Sequence, residues 1–406
     1  MPRRPVVVAA LLTLLVLVAH FVFGVAPISD PTGASLPPGT HLSFPTLNII
    51  FAPLFDLWDG VTLLAMPRLH AFLVGAVAVI AAGSLWSARE GARIRWRRAT
   101  LRLGLGLLGL ALFILGGVRW RRPMAHLAGV PLDRWVVDLH SHTSLSHDAK
   151  GLLQRDFDLE TSRAWHRRAG YDAFFVTDHN LLNRAALSPH QREEVPVACP
   201  GEELSLWGAH IVVLGNTDSI PQATYADSAE GIRRLFLESH ARWHALTLAS
   251  IPEYDEHHFA DLPGWIAAGV DGFEVSNAAP KANRQSLVHR DSVIALAHAN
   301  GLWIAGVSDQ HGMGATAQAW TLIPGGAATA DHCADILHAL RRDGVKATQV
   351  VERHRVRNDA PWPMWTTLVA VPWEGWRAAR LAQVVSWLVW IWGAAALAMA
   401  GRPKAD

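Results

Sequence analysis

Long apolar stretches lie near both ends of this 406-residue chain and constrain its fold more than any other feature. They occupy residues 6–27, 69–88, 101–119 and 381–400. An α-helix needs about 20 apolar residues to cross the roughly 30 Å hydrocarbon core of a bilayer. Each stretch therefore predicts a membrane-spanning helix. The composition, 50% apolar and 17% charged with a mean hydropathy of +0.17, also argues against a wholly water-soluble protein.

Two of the apolar segments have more than one interpretation. Basic residues precede 6–27, as in a cleavable signal peptide, but no clear small-residue cleavage site follows, so we interpret it as a retained anchor. The segment 46–66 carries Asp56 and Asp59 near its middle, and carboxylates are costly in hydrocarbon. It lies at the interface, re-enters the membrane, or spans it with its acids facing other helices.

Arginines are concentrated between the second and third predicted spans. Residues 89–102 contain six arginines and one glutamate, against Arg119, Arg121 and Arg122 beyond the next span. Loops rich in Lys and Arg stay in the cytoplasm. We therefore expect an integral membrane protein, in the cytoplasmic membrane if the source is bacterial, with residues 123–375 outside the cytoplasm.

The chain divides into three parts on this basis. Residues 1–122 form a membrane region of three or four helices, 123–370 a single α/β domain, and 371–406 a C-terminal spanning helix with a short tail. In the middle part, short apolar runs alternate with helical patterns. The predicted strands are 135–142, 172–179, 210–215, 272–277 and 302–311, and the predicted helices include 154–169 and 286–300. Such alternation predicts βα units around a mostly parallel sheet or barrel.

Charge and cysteine content favour no particular class of function, and nucleic acid is not excluded as a substrate. The net charge of +1 gives no support for a nucleic-acid partner. Cys199 and Cys333 are far apart and form no CxxC, so neither a disulfide framework nor a thiolate zinc site is indicated, and the redox compartment stays undecided.

Histidines and aspartates follow three of the predicted strands. The clusters are Asp138-Leu-His140-Ser-His142, Asp178-His179 and Asp309-Gln-His311. Groups at the carboxyl ends of strands in β/α folds converge on one face, where active sites are built. Imidazole and carboxylate together suit Zn, Mn or Fe. The sequence therefore predicts a metal site.

These motifs resemble those of the polymerase and histidinol phosphatase (PHP) superfamily of metal-dependent phosphoesterases. The matching segments are DLHSHTSLSHDAKG at 138–151, TDHN at 177–180, PGEEL at 200–204 followed by His210, and SDQH at 308–311. The resemblance covers roughly residues 134–330. It implies a PHP-like distorted (β/α)7 barrel, here flanked by transmembrane helices, with two or three divalent ions (Mn, Zn or Fe) at its mouth.

The resemblance also implies a ligand set. Its members are His140, His142, Asp148, His179, Glu203, His210, Asp309 and His311. One ion is shared by the first two histidines with Glu203 and Asp309, and a second is held by Asp148, His179 and His311. Glu203 bridges to the remaining ion, which His210 also binds. Glu202 is the alternative to Glu203.

The chain departs from the family at one position. Ile251 stands where the family usually has a histidine ligand, so either the site holds two ions or Glu253 substitutes. We assign the nearby His257 and His258 to a solvated loop.

Other residues near the motifs have expected supporting roles. Asp178 either orients a ligand from outside the coordination sphere or acts as a base, and Asp138 has the same two interpretations. Glu274 and Asn277 close a strand and contribute polar contacts to the pocket. The candidate phosphate-binding cations are Lys150, Arg184, Lys281 and Arg284.

The expected reaction is hydrolysis of a phosphoester by metal-activated hydroxide. One alternative is a metal-dependent hydrolase of a non-phosphate ester, an amide or a carbamate. Another is a non-catalytic metal-binding sensor or scaffold, suggested by the isoleucine at 251. The expected partners are the lipid bilayer and a phosphorylated small molecule or a lipid-linked or envelope substrate.

Overall fold

A curled mixed sheet lies between the long apolar helices of the protein. The computed structural model describes residues 3–90, 93–149, 156–314, 316–325 and 331–400. In these residues the strands are β1 (Ile28–Ser29), β2 (His41–Ser43), β3 (Arg89–Glu90), β4 (Arg93–Ile94), β5 (His126–Ala128), β6 (Arg134–Ser141), β7 (Ala173–Val176), β8 (Val197–Leu206), β9 (Ala209–Leu214), β10 (Leu246–Ala249), β11 (Gly272–Asn277), β12 (Trp303–Val307), β13 (Ala319–Pro324) and β14 (Gln349–Arg353).

The helices of the same residues surround the sheet or extend away from it. They are α1 (Arg3–Phe21), α2 (Thr46–Ile50), α3 (Ala52–Thr62), α4 (Met66–Ser87), α5 (Trp96–Arg119), α6 (Leu159–Ala169), α7 (Pro189–Glu193), α8 (Ala229–Ala241), α9 (Glu253–His257), α10 (Leu262–Ala268), α11 (Leu287–Ala299), α12 (His332–Asp343), α13 (Thr367–Ala378) and α14 (Leu381–Ala400). Short 3₁₀ helices occupy Arg184–Leu187, Gln222–Thr224, Phe259–Asp261, Ala282–Arg284, Gly344–Ala347 and Met364–Thr366.

The main sheet has ten strands in the order β1-β14-β13-β6-β7-β8-β9-β10-β11-β12. Strands β6, β7 and β8 are parallel, as are β10, β11 and β12, whereas β9 runs antiparallel to both of its neighbours. The sheet curls until β12 meets β13, where the Thr321 hydroxyl donates to the Gly306 carbonyl at 2.9 Å. The result is a half-barrel.

The mixed pairing corrects the expectation of a mostly parallel sheet. Trp207 and Gly208 connect β8 to β9 with φ of 52° and 66°. Positive φ at both central residues is typical of the tight turns that close two-residue hairpins. An antiparallel hairpin therefore stands where the sequence pattern suggested another βα unit.

Local signals explain where the elements around the site begin. The predicted helix 154–169 is observed as α6, which starts only at Leu159 because Asp158 caps it, accepting a 2.9 Å hydrogen bond from Thr161 N. Gly170, with φ of 86°, ends it in the left-handed conformation that glycine adopts without strain. Predicted strands 135–142, 172–179, 210–215, 272–277 and 302–311 correspond to β6, β7, β9, β11 and β12.

The concave face of the sheet packs against helix α12. Val137, Phe175 and Leu248 from three strands share a buried cluster with Ile336 and Leu340 of that helix. A disulfide joins Cys199 in β8 to Cys333 in α12. The two cysteines are 134 residues apart, so no local sequence signal indicates this pairing.

Four helices, α1, α4, α5 and α14, are long and apolar enough to cross a membrane, by length and composition. They match the apolar runs of the sequence. The ambiguous segment 46–66 instead forms α2 and α3. Helix α3 has 11 residues and rises about 16 Å, which is too short to span. Its acids face other elements, because Asp56 accepts hydrogen bonds from Gln383 and Trp387 of α14.

The four long helices form two antiparallel pairs. In the first pair, Trp392 of α14 donates a 3.1 Å hydrogen bond to Thr13 of α1. In the second, Gly106 of α5 lies so close to Ile80 of α4 that a Cβ at position 106 would overlap it. The half-barrel lies at the end of the bundle formed by the C-termini of α1 and α5 and the N-termini of α4 and α14.

Candidate metal centre

The strand ends bring the implied ligands into one cluster at the mouth of the half-barrel. His140 lies on β6 and His142 just beyond it, His179 follows β7, and Glu203 and His210 lie on the β8–β9 hairpin. Asp309 and His311 follow β12, and an isolated bridge between Ser141 and Gln310 holds that segment beside the end of β6. Asp148 reaches the cluster from the loop after β6.

Glu203 occupies the centre of the cluster. Its Oε2 atom lies 3.1 Å from His140 Nε2 and 3.2 Å from both His142 Nε2 and His179 Nδ1. Its Oε1 atom lies 3.0 Å from His210 Nδ1. Although Glu203 is only 1% exposed, no described residue makes a hydrogen bond of acceptable geometry with its Oε2 atom. A buried carboxylate oxygen without a donor, ringed by imidazole nitrogens, is an arrangement that a cation would stabilise.

Two acids complete the cluster on the side of His311. Asp309 Oδ1 lies 3.1 Å from His142 Nε2, and Asp148 Oδ2 lies 2.8 Å from His311 Nε2 and 3.2 Å from His179 Nε2. Among the described residues, three groups have ligand atoms within 4.8 Å of one another and could each hold an ion: His142, His179 and His311; His140, His142 and Glu203; and His179, Glu203 and His210.

The donor chemistry fits divalent metal ions. His140 Nε2 and His142 Nε2 face each other at 3.0 Å, and two neutral imidazoles satisfy such a contact only when one nitrogen carries the proton. A shared cation would remove that restriction, because both nitrogens could then offer it a lone pair. Imidazole nitrogens and carboxylate oxygens are ligands that zinc, manganese and iron accept. The residues therefore fit more than one ion.

The opposite charges of Glu203 and the histidines around it shift the pKa values of these groups. Burial raises the pKa of Glu203, but positive charge on His140, His210 and His179 holds that pKa well below its usual range. Burial lowers the pKa of His210, but Glu203 raises it, to about 9 overall. The pKa of His140 is likewise raised well above its usual value by Glu203 and nearby acids, against the effect of burial. The carboxylate thus stabilises positive charge at this site.

A buried acid, Glu274, contacts His140 on the side of the ring that faces away from Glu203. His140 Nδ1 lies 2.6 Å from Glu274 Oε1, which leaves Nε2 free to face Glu203. A carboxylate behind a histidine fixes the tautomer and ring orientation of a metal ligand. The sequence predicted only that Glu274 contributes polar contacts to the pocket. The structure shows that it contacts one of the implied ligands, His140, directly.

Asp178 and Asp138 do not point into the cluster. The Asp178 carboxylate accepts hydrogen bonds from Thr143 N at 2.6 Å and Thr143 Oγ1 at 2.7 Å. It therefore holds the loop that follows His142. Asp138 Oδ2 lies 2.9 Å from His166 Nε2 on helix α6. Sequence reasoning missed His166, because a histidine on an otherwise polar helix gives no sign that it is completely buried.

The structure separates Glu203 from its neighbour Glu202. Side chains alternate between the faces of a strand, so the two acids of β8 point in opposite directions. Glu202 Oε2 accepts a 3.0 Å hydrogen bond from Ile220 N and faces Asn216 and Ser219, away from the histidines. Burial raises the pKa of Glu202 to about 7.

Position 251, where the resemblance implies a histidine, lies in the cleft that Glu203, His210 and Asp309 also line. Ile251 lines it beside Glu253, whose Oε1 atom lies 3.6 Å from His210 Nδ1. Burial raises the pKa of Glu253 to about 7. Glu253 is therefore close enough to His210 to share an ion with it.

One nearby assignment from the sequence is wrong. His258 is 5% exposed, with Nδ1 2.9 Å from Asp261 Oδ2 and Nε2 2.8 Å from the Trp207 carbonyl, so it does not lie in a solvated loop. Its polar contacts hold α9 against the β8–β9 turn. His257, by contrast, is exposed at the end of α9.

The cleft has a volume of about 280 Å³. The expected phosphate-binding cations differ in whether they line it. Lys281 lines it. Arg284 is exposed and lies 3.4 Å from Glu256, and Arg184 is exposed on its 3₁₀ helix and is not among the described residues that line the cleft. Lys150 lies outside the described residues.

Comparison with known proteins gives distant structural likeness only. No protein-family model matches the chain, and no curated protein matches it either. One similar solved structure is PsfC from Pseudomonas syringae PB-5123, with a TM-score of 0.38 and 17% identity, covering 60% of this chain and 97% of that one. Another is an amidohydrolase from Chromobacterium violaceum, with bound sulfate and no metal, at a TM-score of 0.31 and 20% identity, covering 43% of this chain and 87% of that one. At these scores neither likeness indicates what this chain does.

Proposed function

We propose that this chain is a membrane-bound, metal-dependent hydrolase and that it cleaves a phosphoester. The observation that carries the proposal is the buried Oε2 atom of Glu203, which lies within 3.2 Å of three imidazole nitrogens and has no hydrogen bond within the part of the chain that the structure describes. The order and spacing of the PHP-like motifs support the phosphoester over other bonds. We infer that the half-barrel is a divergent form of the distorted (β/α)7 barrel.

The residues of the cluster have separate roles in this proposal. The implied ligands are His140, His142, Asp148, His179, Glu203, His210, Asp309 and His311. Bound divalent ions would lower the pKa of a coordinated water, polarise a phosphoryl oxygen and stabilise the charge that develops. Glu274 keeps His140 in one orientation, and Glu253 takes the place of the histidine that Ile251 replaces. Lys281 at the edge of the cleft attracts the anionic substrate.

A substrate panel coupled to metal analysis tests the reaction class. We expect the purified full-length protein to contain two or three divalent ions and to hydrolyse an aryl phosphate or an aryl phosphodiester. Chelation should abolish this activity, and Mn, Zn or Fe should restore it.

The other outcomes separate the alternatives. Turnover of carboxylic esters, anilides or carbamates without any phosphate ester would leave a metal-dependent hydrolase of another bond. Tightly bound metal without turnover of any compound would instead identify a sensor or scaffold.

The placement of the bundle supports an extracytoplasmic half-barrel. Arg89, Arg93 and Arg95 lie at the opposite end of the α4–α5 pair from the half-barrel, about 33 Å away for a 22-residue helix. The arginines that oppose this orientation are paired with acids, since Arg121 lies 2.8 Å from Asp156 and Arg122 lies 2.7 Å from Asp59. The disulfide also suits an oxidising compartment.

Reporter fusions test the orientation. We expect alkaline phosphatase fused after residue 360 to be active and a cytoplasmic fluorescent reporter fused after residue 95 to fluoresce. Residue 360 lies between β14 and α13, on the side of the half-barrel. The reverse pattern at the two positions would place the metal centre in the cytoplasm.

A further inference from the structure

A second cavity, of about 310 Å³, adjoins the metal cleft on the side of the membrane helices. We call it the apolar chamber. Its walls include Val61 of α3, Leu69 of α4, and Phe113 and Ile114 of α5. The last two residues lie near the C-terminus of a helix long and apolar enough to cross a bilayer. The chamber thus lies where the helical bundle meets the half-barrel.

The apolar chamber and the metal cleft share part of their walls. The residues that line both are Met66, Ala279, Pro280, Asp309, His311 and Met313. Asp309 and His311 belong to the implied ligand set, so the chamber ends at the metal centre. The two methionines at the junction, Met66 and Met313, have flexible side chains that can adapt to a ligand of irregular shape.

The apolar lining of the chamber favours an alkyl chain over a small polar molecule. Away from Ser308, Asp309, Gln310 and His311, its walls are almost entirely aliphatic and aromatic. A small polar substrate gains nothing from such a wall, whereas an alkyl chain is stabilised by every methylene it buries. Ligand cavities are commonly apolar with a few polar groups at one end.

We propose that the substrate is a bilayer-resident amphiphile whose alkyl chain lies in the apolar chamber while its phosphoester lies at the metal centre. This inference rests on the proposed function, because the polar end of the molecule is the group to be hydrolysed. Leu69 of α4 and Phe113 of α5 line the chamber, so it lies beside two helices long and apolar enough to cross a bilayer.

The binding of alkylphosphonates tests the proposal without relying on turnover. The metal-loaded full-length protein in lipid nanodiscs is titrated with methyl-, butyl- and octylphosphonate by calorimetry. We expect each added methylene to lower Kd by up to about fourfold until the chamber is filled. Metal removal should weaken the methyl and octyl compounds alike.

A matched pair of variants assigns the effect to the chamber. Ile114→Trp fills the cavity, and we expect it to raise the Kd of octylphosphonate about tenfold or more, the equivalent of roughly two lost methylenes, with the methyl compound unchanged. Leu112→Trp makes a similar change two residues away, where the side chain is 59% exposed and is not among the chamber's described lining residues. It should behave as the wild type.

The outcomes distinguish this inference from the proposed function. If methylphosphonate binds in a metal-dependent way but chain length has no effect, or the effect survives Ile114→Trp, the chamber does not hold the substrate chain. If octylphosphonate binding does not depend on metal, the chamber holds a lipid unconnected with the reaction. Failure of phosphate-ester hydrolysis in the substrate panel would overturn the proposed function whatever the chain-length result.

Discussion

The variant Glu203→Gln is expected to lose most of its bound metal and to lower kcat/KM by more than about 100-fold, because even residues behind a ligand typically cost 10–100-fold. The Glu203 carboxylate contacts four imidazoles through both of its oxygens. Glutamine has the same shape but no negative charge, and its amide nitrogen places a donor where a cation would bind. Metal content by elemental analysis and the kinetics of phosphate-ester hydrolysis provide the measurement.

Glu202→Gln is the matched control. It makes the same chemical change at the adjacent residue of the same strand, on the opposite face. Since burial raises the pKa of Glu202 to about 7, the carboxyl is substantially protonated near neutrality and an amide replaces it with little cost. We expect normal metal content and kinetics. If Glu202→Gln lost metal while Glu203→Gln retained it, the bridging acid would be Glu202 and the assignment to Glu203 would be wrong.

The location of the site was predictable from the sequence because it depends on local order along each strand. His142, His179 and His311 all follow short apolar runs, and parallel strands carry their carboxyl ends to one edge. The structure brings these rings together, with His142 and His311 centroids 4.0 Å apart. That they bind metal stays a prediction. The four helices long and apolar enough to cross a membrane were equally predictable, since length and hydropathy are properties of a single segment.

Features that depend on contacts between distant segments could not be predicted from local sequence patterns. The Cys199–Cys333 disulfide and the contact between His166 and Asp138 join residues with no shared pattern. The β8–β9 hairpin was missed because Trp207-Gly208 is not a common hairpin turn sequence. His258 was taken for a loop residue because its partners, Asp261 and the Trp207 carbonyl, come together only in the folded chain.

The same limit applies to Asp59, whose function in the fold emerges only from its partners. It is 2% exposed, and its two oxygens lie 2.7 Å from Arg122 Nη2 and 2.8 Å from Arg353 Nη1. Arg122 follows α5, and Arg353 ends β14. One carboxylate on α3 therefore links the helical bundle to the edge of the half-barrel, next to Trp58 in the wall of the apolar chamber.

Asp59→Ala should destabilise the protein by about 3–5 kcal/mol, because removing one partner leaves buried charge without compensation. The loss should appear as a fall in Tm of at least about 5 °C for the detergent-solubilised protein. Asp156→Ala is the control at the same junction: its carboxylate also lies near arginines, Arg119 and Arg121, but its side chain is 60% exposed. An exposed pair of this kind contributes about 0–1 kcal/mol, so the control should change Tm little. If both variants unfold within about 2 °C of the wild type, the buried carboxylate does not hold the bundle to the half-barrel.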